Sequence, residues 1–215
     1  MANVARQKRQ QAEVERTRSL ILESAARVFA KNGYQASTMA AIAKEAGYTA
    51  PTLYTYFKGK SDIFDDLVDL TLGSIAAVYE EHEPAGMTFC QRLELLILRQ
   101  FKVIDQYSDV FAFFMTLNAR GETGPTSPRR RKRQYSDVES LRQQMTNWLG
   151  SNLQGSEYAH LNASLVEVYV QGVIRSFASR WAEGDQTEPL AKKISVVMPL
   201  ILGGLDRLAQ QPTLI

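Results

Sequence analysis

Two short helical segments hinged on a single glycine dominate the reading of this sequence. Within residues 37–57, Ile42, Ala46, Leu53 and Phe57 fall on one side of two segments too short to be stable helices by themselves, with Gly47 between them. Two helices cross at a sharp angle only where a small residue sits at their contact and the turn tolerates positive φ. Ala43 supplies the first, and Gly47, four residues later, supplies the second. Ser37 or Thr38 can cap the first segment, and Thr49 the second, with Pro51 early in it where proline is tolerated. Upstream, Leu20, Ile21, Ala25, Val28 and Phe29 form the apolar stripe of a helix over 13–31, closed by Asn32-Gly33.

Helical spacing continues to the end of the chain, with no convincing alternating strand and no internal repeat. It predicts helices over 61–79, 88–106, 109–119, 134–153, 159–182 and 188–210, a polar link at 82–86 and a Gly-, Pro-, Ser-, Thr- and Arg-rich loop at 121–133. The fold class is therefore all-α, a three-helix helix-turn-helix unit followed by a larger helical domain. Residues 1–15 read as a flexible basic arm, 16–60 as the helix-turn-helix domain and 61–215 as the larger domain.

Charge is unevenly spread over these parts. Residues 1–60 carry 10 Lys and Arg against 4 Asp and Glu, a net +6, whereas residues 61–215 carry 15 against 19, a net −4. A basic front on a mildly acidic remainder fits a first segment that meets a polyanion. Other classes drop away. Cys90 is the only cysteine, so no intrachain disulfide and no Cys-based zinc site can form. The longest apolar run, 196–205, is half the length of a bilayer span and is broken by Pro199 and two glycines. The polar start has no apolar signal core, which points to the cytoplasm. His82 and His160 have no acidic or cysteine partner at metal spacing, and no nucleophile–base arrangement can be assembled, so neither a metal, a cofactor nor an enzyme is expected. Gly59-Lys60-Ser61 looks like the end of a phosphate-binding loop, but Tyr54 stands where that motif needs glycine.

Thr38 opening the first short helix, then Ile42-Ala43, Ala46-Gly47, Leu53-Tyr54-Thr55-Tyr56-Phe57 and Lys60, resembles the DNA-binding domain of the TetR family of bacterial transcriptional repressors. The upstream Ile21, Ala25, Phe29 and Asn32-Gly33-Tyr34 match as well, and the likeness covers about residues 16–65. Tyr48, where a small β-branched residue is usual, and Gly59 depart from the pattern. The resemblance implies that Thr38, Thr49, Tyr54, Tyr56 and Lys60 contact phosphates of double-stranded DNA. It further implies that Ala50, Pro51 and Thr52 face base edges in the major groove. With so few bidentate donors among them, apolar contacts and DNA shape would carry much of the specificity. The arm residues Arg6, Lys8 and Arg9 could follow the backbone or enter a minor groove.

A helix-turn-helix unit usually works as a dimer on a pseudo-palindromic operator. Leu165, Val166, Tyr169, Val170, Val173, Ile174 and Phe177 on one of the last two helices, and Ile194, Val197, Met198, Ile201, Leu205 and Leu208 on the other, suit a four-helix homodimer interface, with Gly172 allowing close approach. In relatives of this architecture the middle helices hold a small, often hydrophobic effector. Phe101, Tyr107, Phe111, Phe114, Met115, Asn118, Trp148 and Tyr169 are the candidates to line such a site, and core filling explains the aromatics equally well. The resulting expectation is a sequence-specific regulator released from its operator by a small molecule. A helical ligand carrier or enzyme with an incidental basic N-terminus is the alternative, and unregulated nonspecific DNA binding is a second.

Overall fold

The computed structural model describes residues 2–112, 128–184 and 186–210, and among these every regular element is helical. In chain order they are α1 (Ala2–Asn32), α2 (Met39–Ala46), α3 (Ala50–Tyr54), α4 (Lys60–Val78), α5 (Phe89–Gln106), α6 (Pro128–Leu153), α7 (Ala163–Ala182), a 3-10 turn (Leu190–Lys193) and α8 (Ile194–Ala209). A further helical stretch begins at 108–112. The chain divides into two units, Met1–Leu70 with Asp109–Arg130, and Thr71–Ser108 with Arg131–Ile215.

In the first unit α1 packs on α2 and α2 on α3. Ile21, Ala25, Phe29, Ile42, Leu53 and Phe57 are inaccessible or nearly so, as the spacing predicts, and Ile63 and Leu67 join them, whereas Leu20, expected on the same stripe, is 41% exposed. Burying each of the larger side chains contributes about 1.5–3 kcal/mol. Gly33 takes φ +75° and returns its N–H to Phe29 O at 2.9 Å, ending α1 as expected.

The second unit is built on α5, α7 and α8. Thr88 and Gln91 close a reciprocal capping box at the start of α5. Asn162 caps α7 by accepting from the N–H groups of Ser164 and Leu165. The two carboxylate oxygens of Asp105, near the end of α5, accept the N–H groups of Leu190 and Ala191 at 2.6 and 2.9 Å, pinning the 3-10 turn that leads into α8. Leu93, Leu96, Ile97 and Phe101 form the core with Val166, Val170, Val197, Ile201 and Leu205, so these last five, expected at a dimer interface, are buried within the chain itself.

Four boundaries differ from the sequence reading. Residues 2–15 are the first turns of α1 rather than a flexible arm. They are rich in Gln, Arg, Lys, Glu and Ala, which hold helix well, and Gln11 Nε2 donates to Glu15 Oε1 at 3.1 Å. Residues 128–133 belong to α6 and not to the loop, with Pro128 at the first helical position, where its missing N–H is harmless. The helix expected from 159 starts at Ala163, because Gly155 at φ +77° and the turns after it delay it until Asn162 caps it. The last helix is divided by the 3-10 turn rather than running continuously from 188.

Candidate nucleic-acid interface

Thr38, in extended conformation, accepts the N–H of Ala41 at 3.1 Å and so starts α2. Gly47 ends it at φ +75°, and Tyr48 N–H reaches back to Ala43 O at 2.8 Å. Thr49 occupies the N-cap position of α3, but its hydroxyl makes no capping bond; it pairs with the hydroxyl of Thr52 at 2.9 Å. Thr55 Oγ1 donates to Thr52 O at 2.6 Å, tightening the exit of α3. The capping role expected of Thr49 is therefore replaced by a hydroxyl pair on the outer surface.

The two faces of α3 separate as the spacing demands. Leu53 and Phe57 are buried, whereas Thr49, Pro51, Tyr54 and Thr55 are exposed and Ala50, Thr52 and Tyr56 are half-buried. Tyr54 is 56% exposed, so its ring does not seal the core. Thr38 is exposed beside them at the start of α2.

Lys60 departs from the expected role. Its ammonium donates to three backbone carbonyls, Tyr34 O at 2.6 Å, Ser37 O at 2.9 Å and Gln35 O at 3.2 Å, and lies 4.2 Å from the centroid of the Tyr34 ring. Loss of hydration lowers its pKa. The cation ties the segment between α1 and α2 to the first turn of α4, and all three of its donors are engaged within the protein.

Arg18, which sequence reasoning missed, is the counterpart on the other side. Its guanidinium donates to Tyr56 O at 2.7 Å, pairs with Asp66 on α4 and lies 4.4 Å above the Phe57 ring. The segment leaving α3 is thereby fastened to α1 and α4 together. An arginine on an otherwise polar stretch of helix carries no mark of this role, because its three partners are 38 to 48 residues away. Lys58, also missed, is exposed at the end of this segment and offers its ammonium to solvent where Lys60 does not. Its own N–H bonds Asp62 Oδ2 at 3.1 Å.

The described residues expected to line an effector site each have their own surroundings. Phe101 is completely buried in the core. Tyr107 follows α5 as its C-cap residue. Trp148 donates its indole N–H to Glu83 Oε1 at 2.8 Å, with its ring near Phe89. Tyr169 Oη donates to Leu200 O at 2.7 Å, placing it on the seam between α7 and α8. Close approach along that seam occurs at Gly204, where a Cβ would lie 2.0 Å from Tyr169 Oη; Gly172 has nothing of its own chain within 4 Å. Phe111 falls in the first unit, and Phe114, Met115 and Asn118 lie outside the described residues.

Residues 21–67 match the family profile described as bacterial regulatory proteins, tetR family. Over that segment the chain carries a DNA-binding domain of the TetR type, and it is a DNA-binding transcriptional regulator. The fatty acid metabolism regulator protein of Bacillus subtilis (strain 168) is 25% identical over 186 residues, 86% of this chain and 93% of that protein. Among solved structures, the TetR family transcriptional regulator PfmR of Thermus thermophilus superimposes with a TM-score of 0.70 at 19% identity, over 85% of this chain and 97% of that one. The regulator FadR of Bacillus subtilis, solved in complex with stearoyl-CoA, gives a TM-score of 0.63 at 22% identity, over 86% and 98%. These likenesses extend well beyond the matched segment and include the larger helical domain.

Proposed function

We propose that this chain is a homodimeric repressor, acting in the cytoplasm, that holds a pseudo-palindromic operator with α2 and α3 and lets it go when a largely apolar small molecule binds the second unit. The observation that carries the DNA half of this reading is the division of α3, with Leu53 locked inside while Pro51, Tyr54 and Thr55 stand clear of the protein. Pro51 and half-buried Ala50 and Thr52 are assigned to base edges, and Thr38, Thr49, Tyr54 and Tyr56 to phosphates. Lys58 takes the cationic phosphate role in place of Lys60.

The dimer is supported by apolar side chains left in solvent on the last two helices. Leu165 and Val168 on α7 and Val196 and Leu200 on α8 are all more than 40% exposed, while the other stripe of each helix is in the core. A second copy of the chain, related by a two-fold axis, would cover them and set the half-site spacing. For the effector, a fatty acyl thioester is the first candidate, because a fatty acid metabolism regulator is similar over most of both chains and a structural relative binds stearoyl-CoA.

Titration of the protein onto DNA flanking its own gene, by fluorescence anisotropy at two salt concentrations with excess random DNA, tests this reading. Tight binding to one inverted-repeat fragment, lost in a Thr49→Ala, Tyr54→Ala double variant and reversed by stearoyl-CoA, is the expected result. Equal, strongly salt-dependent binding to every fragment would leave only a nonspecific basic surface.

A further inference from the structure

The second unit buries a carboxylate that its own residues do not satisfy. Glu167 on α7 is 2% exposed, and its Oε2 has no hydrogen-bond partner among the described residues. The other oxygen, Oε1, forms an ion pair with Nε of the half-exposed Arg142 at 3.6 Å, while Nη1 of the same guanidinium donates to Glu139, so only Oε2 is left without a donor. An ion taken from water and left short of donors is strongly unfavourable. Around it the polar groups are already committed. Gln100, 4% exposed, donates to Tyr79 Oη at 2.9 Å. Tyr79 also pairs with Gln171, and burial together with the charge of Glu167 keeps its phenol neutral, with its pKa raised to about 12. Along α7, Val166 and Val170 are fully buried close to it in sequence.

We propose that Glu167 Oε2 is the anchoring acceptor of the effector site, and that the effector presents a hydrogen-bond donor there, a hydroxyl, an amide N–H or a protonated amine, beside its apolar chain; in an acyl thioester the hydroxyls and amides of the carrier qualify and the thioester carbonyl does not. This assignment rests on the ligand-released repressor described above and narrows its effector class. A donor on the ligand completes the coordination of the carboxylate, whereas an ether or ester oxygen placed there faces another acceptor. The unmet lone pair thus discriminates among apolar molecules of the same size.

The test is calorimetric titration of the full-length protein with decan-1-ol, decylamine and decyl methyl ether, three probes of similar length that differ in the donor. The alcohol and the amine are expected to bind at least tenfold more tightly than the ether. Glu167→Leu is expected to erase that preference while keeping the affinity for the ether. Glu167→Gln, of the same shape, keeps the preference for the alcohol and loses that for the amine. Equal binding of the three probes, binding of none, or an unchanged preference in Glu167→Leu overturns the assignment, since each means that water or a neighbouring group satisfies the carboxylate. Operator binding is measured on the same preparations without probe. If it is absent the repressor reading fails, and if it is intact while the donor makes no difference, only the role of Glu167 fails.

Discussion

The ammonium of Lys60 sits 4.2 Å from the centroid of the Tyr34 ring while donating to the carbonyl oxygen of the same tyrosine at 2.6 Å. A side chain engaged in this way supports the DNA-binding unit from within. Lys60→Met is therefore expected to lower the stability of the protein by about 2 kcal/mol, from lost charge-assisted hydrogen bonds and the cation–π contact. Urea unfolding reads that loss. The slope of log affinity against log salt for the operator is expected to stay as it is. A slope reduced by about one per half-site would show instead that the cation meets a phosphate. Lys58→Ala should show the reverse pattern, with the slope reduced and stability unchanged.

At Gly47 the φ of +75° is the whole difficulty, since an added Cβ would find nothing within 4 Å. Gly47→Ala is expected to destabilise by about 1–2 kcal/mol through backbone strain alone, and Gly47→Asn by less, because asparagine tolerates the left-handed region better. A thermal melt of the two variants checks the order. Equal losses would mean that a packing clash and not the backbone is at fault.

The spacing of Ile42, Ala46, Leu53 and Phe57 was enough to read α2, α3 and the turn between them, because burial of one face is a local periodic signal. The tasks of Arg18 and Lys60 were not legible in the same way. Each depends on partners more than 20 residues away, and a basic residue beside a DNA-binding motif looks the same whether it points to a phosphate or to a backbone carbonyl. The effector residues were ambiguous for a different reason. Phe101 and Trp148 have the composition of a cavity wall, but the same composition fills a core, and only the third dimension separates the two. Glu167 was passed over because a single acidic residue on an apolar helix face gives no pattern.

Tyr79 makes stability depend on alkaline pH. Its phenol ionises near the ordinary 10.0 in the unfolded chain and at about 12 in the fold, chiefly because burial disfavours the anion. Its stabilising contribution is complete below pH 10 and is lost as the pH rises from 10 towards 12. The stability difference between the wild type and Tyr79→Phe should therefore shift by roughly 2 kcal/mol against the wild type over that interval. Parallel denaturation curves at pH 9 and pH 11.5 measure it, and a constant difference would contradict the assignment.

Gly204 and Tyr169 should be energetically coupled. A Cβ on residue 204 would meet Tyr169 Oη at 2.0 Å, so Gly204→Ala must displace the ring and break its bond to Leu200 O. A loss of about 1–3 kcal/mol is expected. In a Tyr169→Leu background the same change should be nearly neutral. A double-mutant cycle by urea unfolding decides the matter, and additive losses would disprove the coupling.

The guanidinium of Arg18 has a kinetic corollary. By holding Tyr56 O, the Phe57 ring and Asp66 together, it sets the exit of α3 before any duplex arrives. A surface finished in advance needs no ordering step on contact, so the encounter itself governs how fast operator and protein join. Weakening the tripod, for instance by Asp66→Asn, would leave salt-dependent collisions as frequent as before while making fewer of them productive. The lifetime of the complex once formed would then be set by the same three contacts.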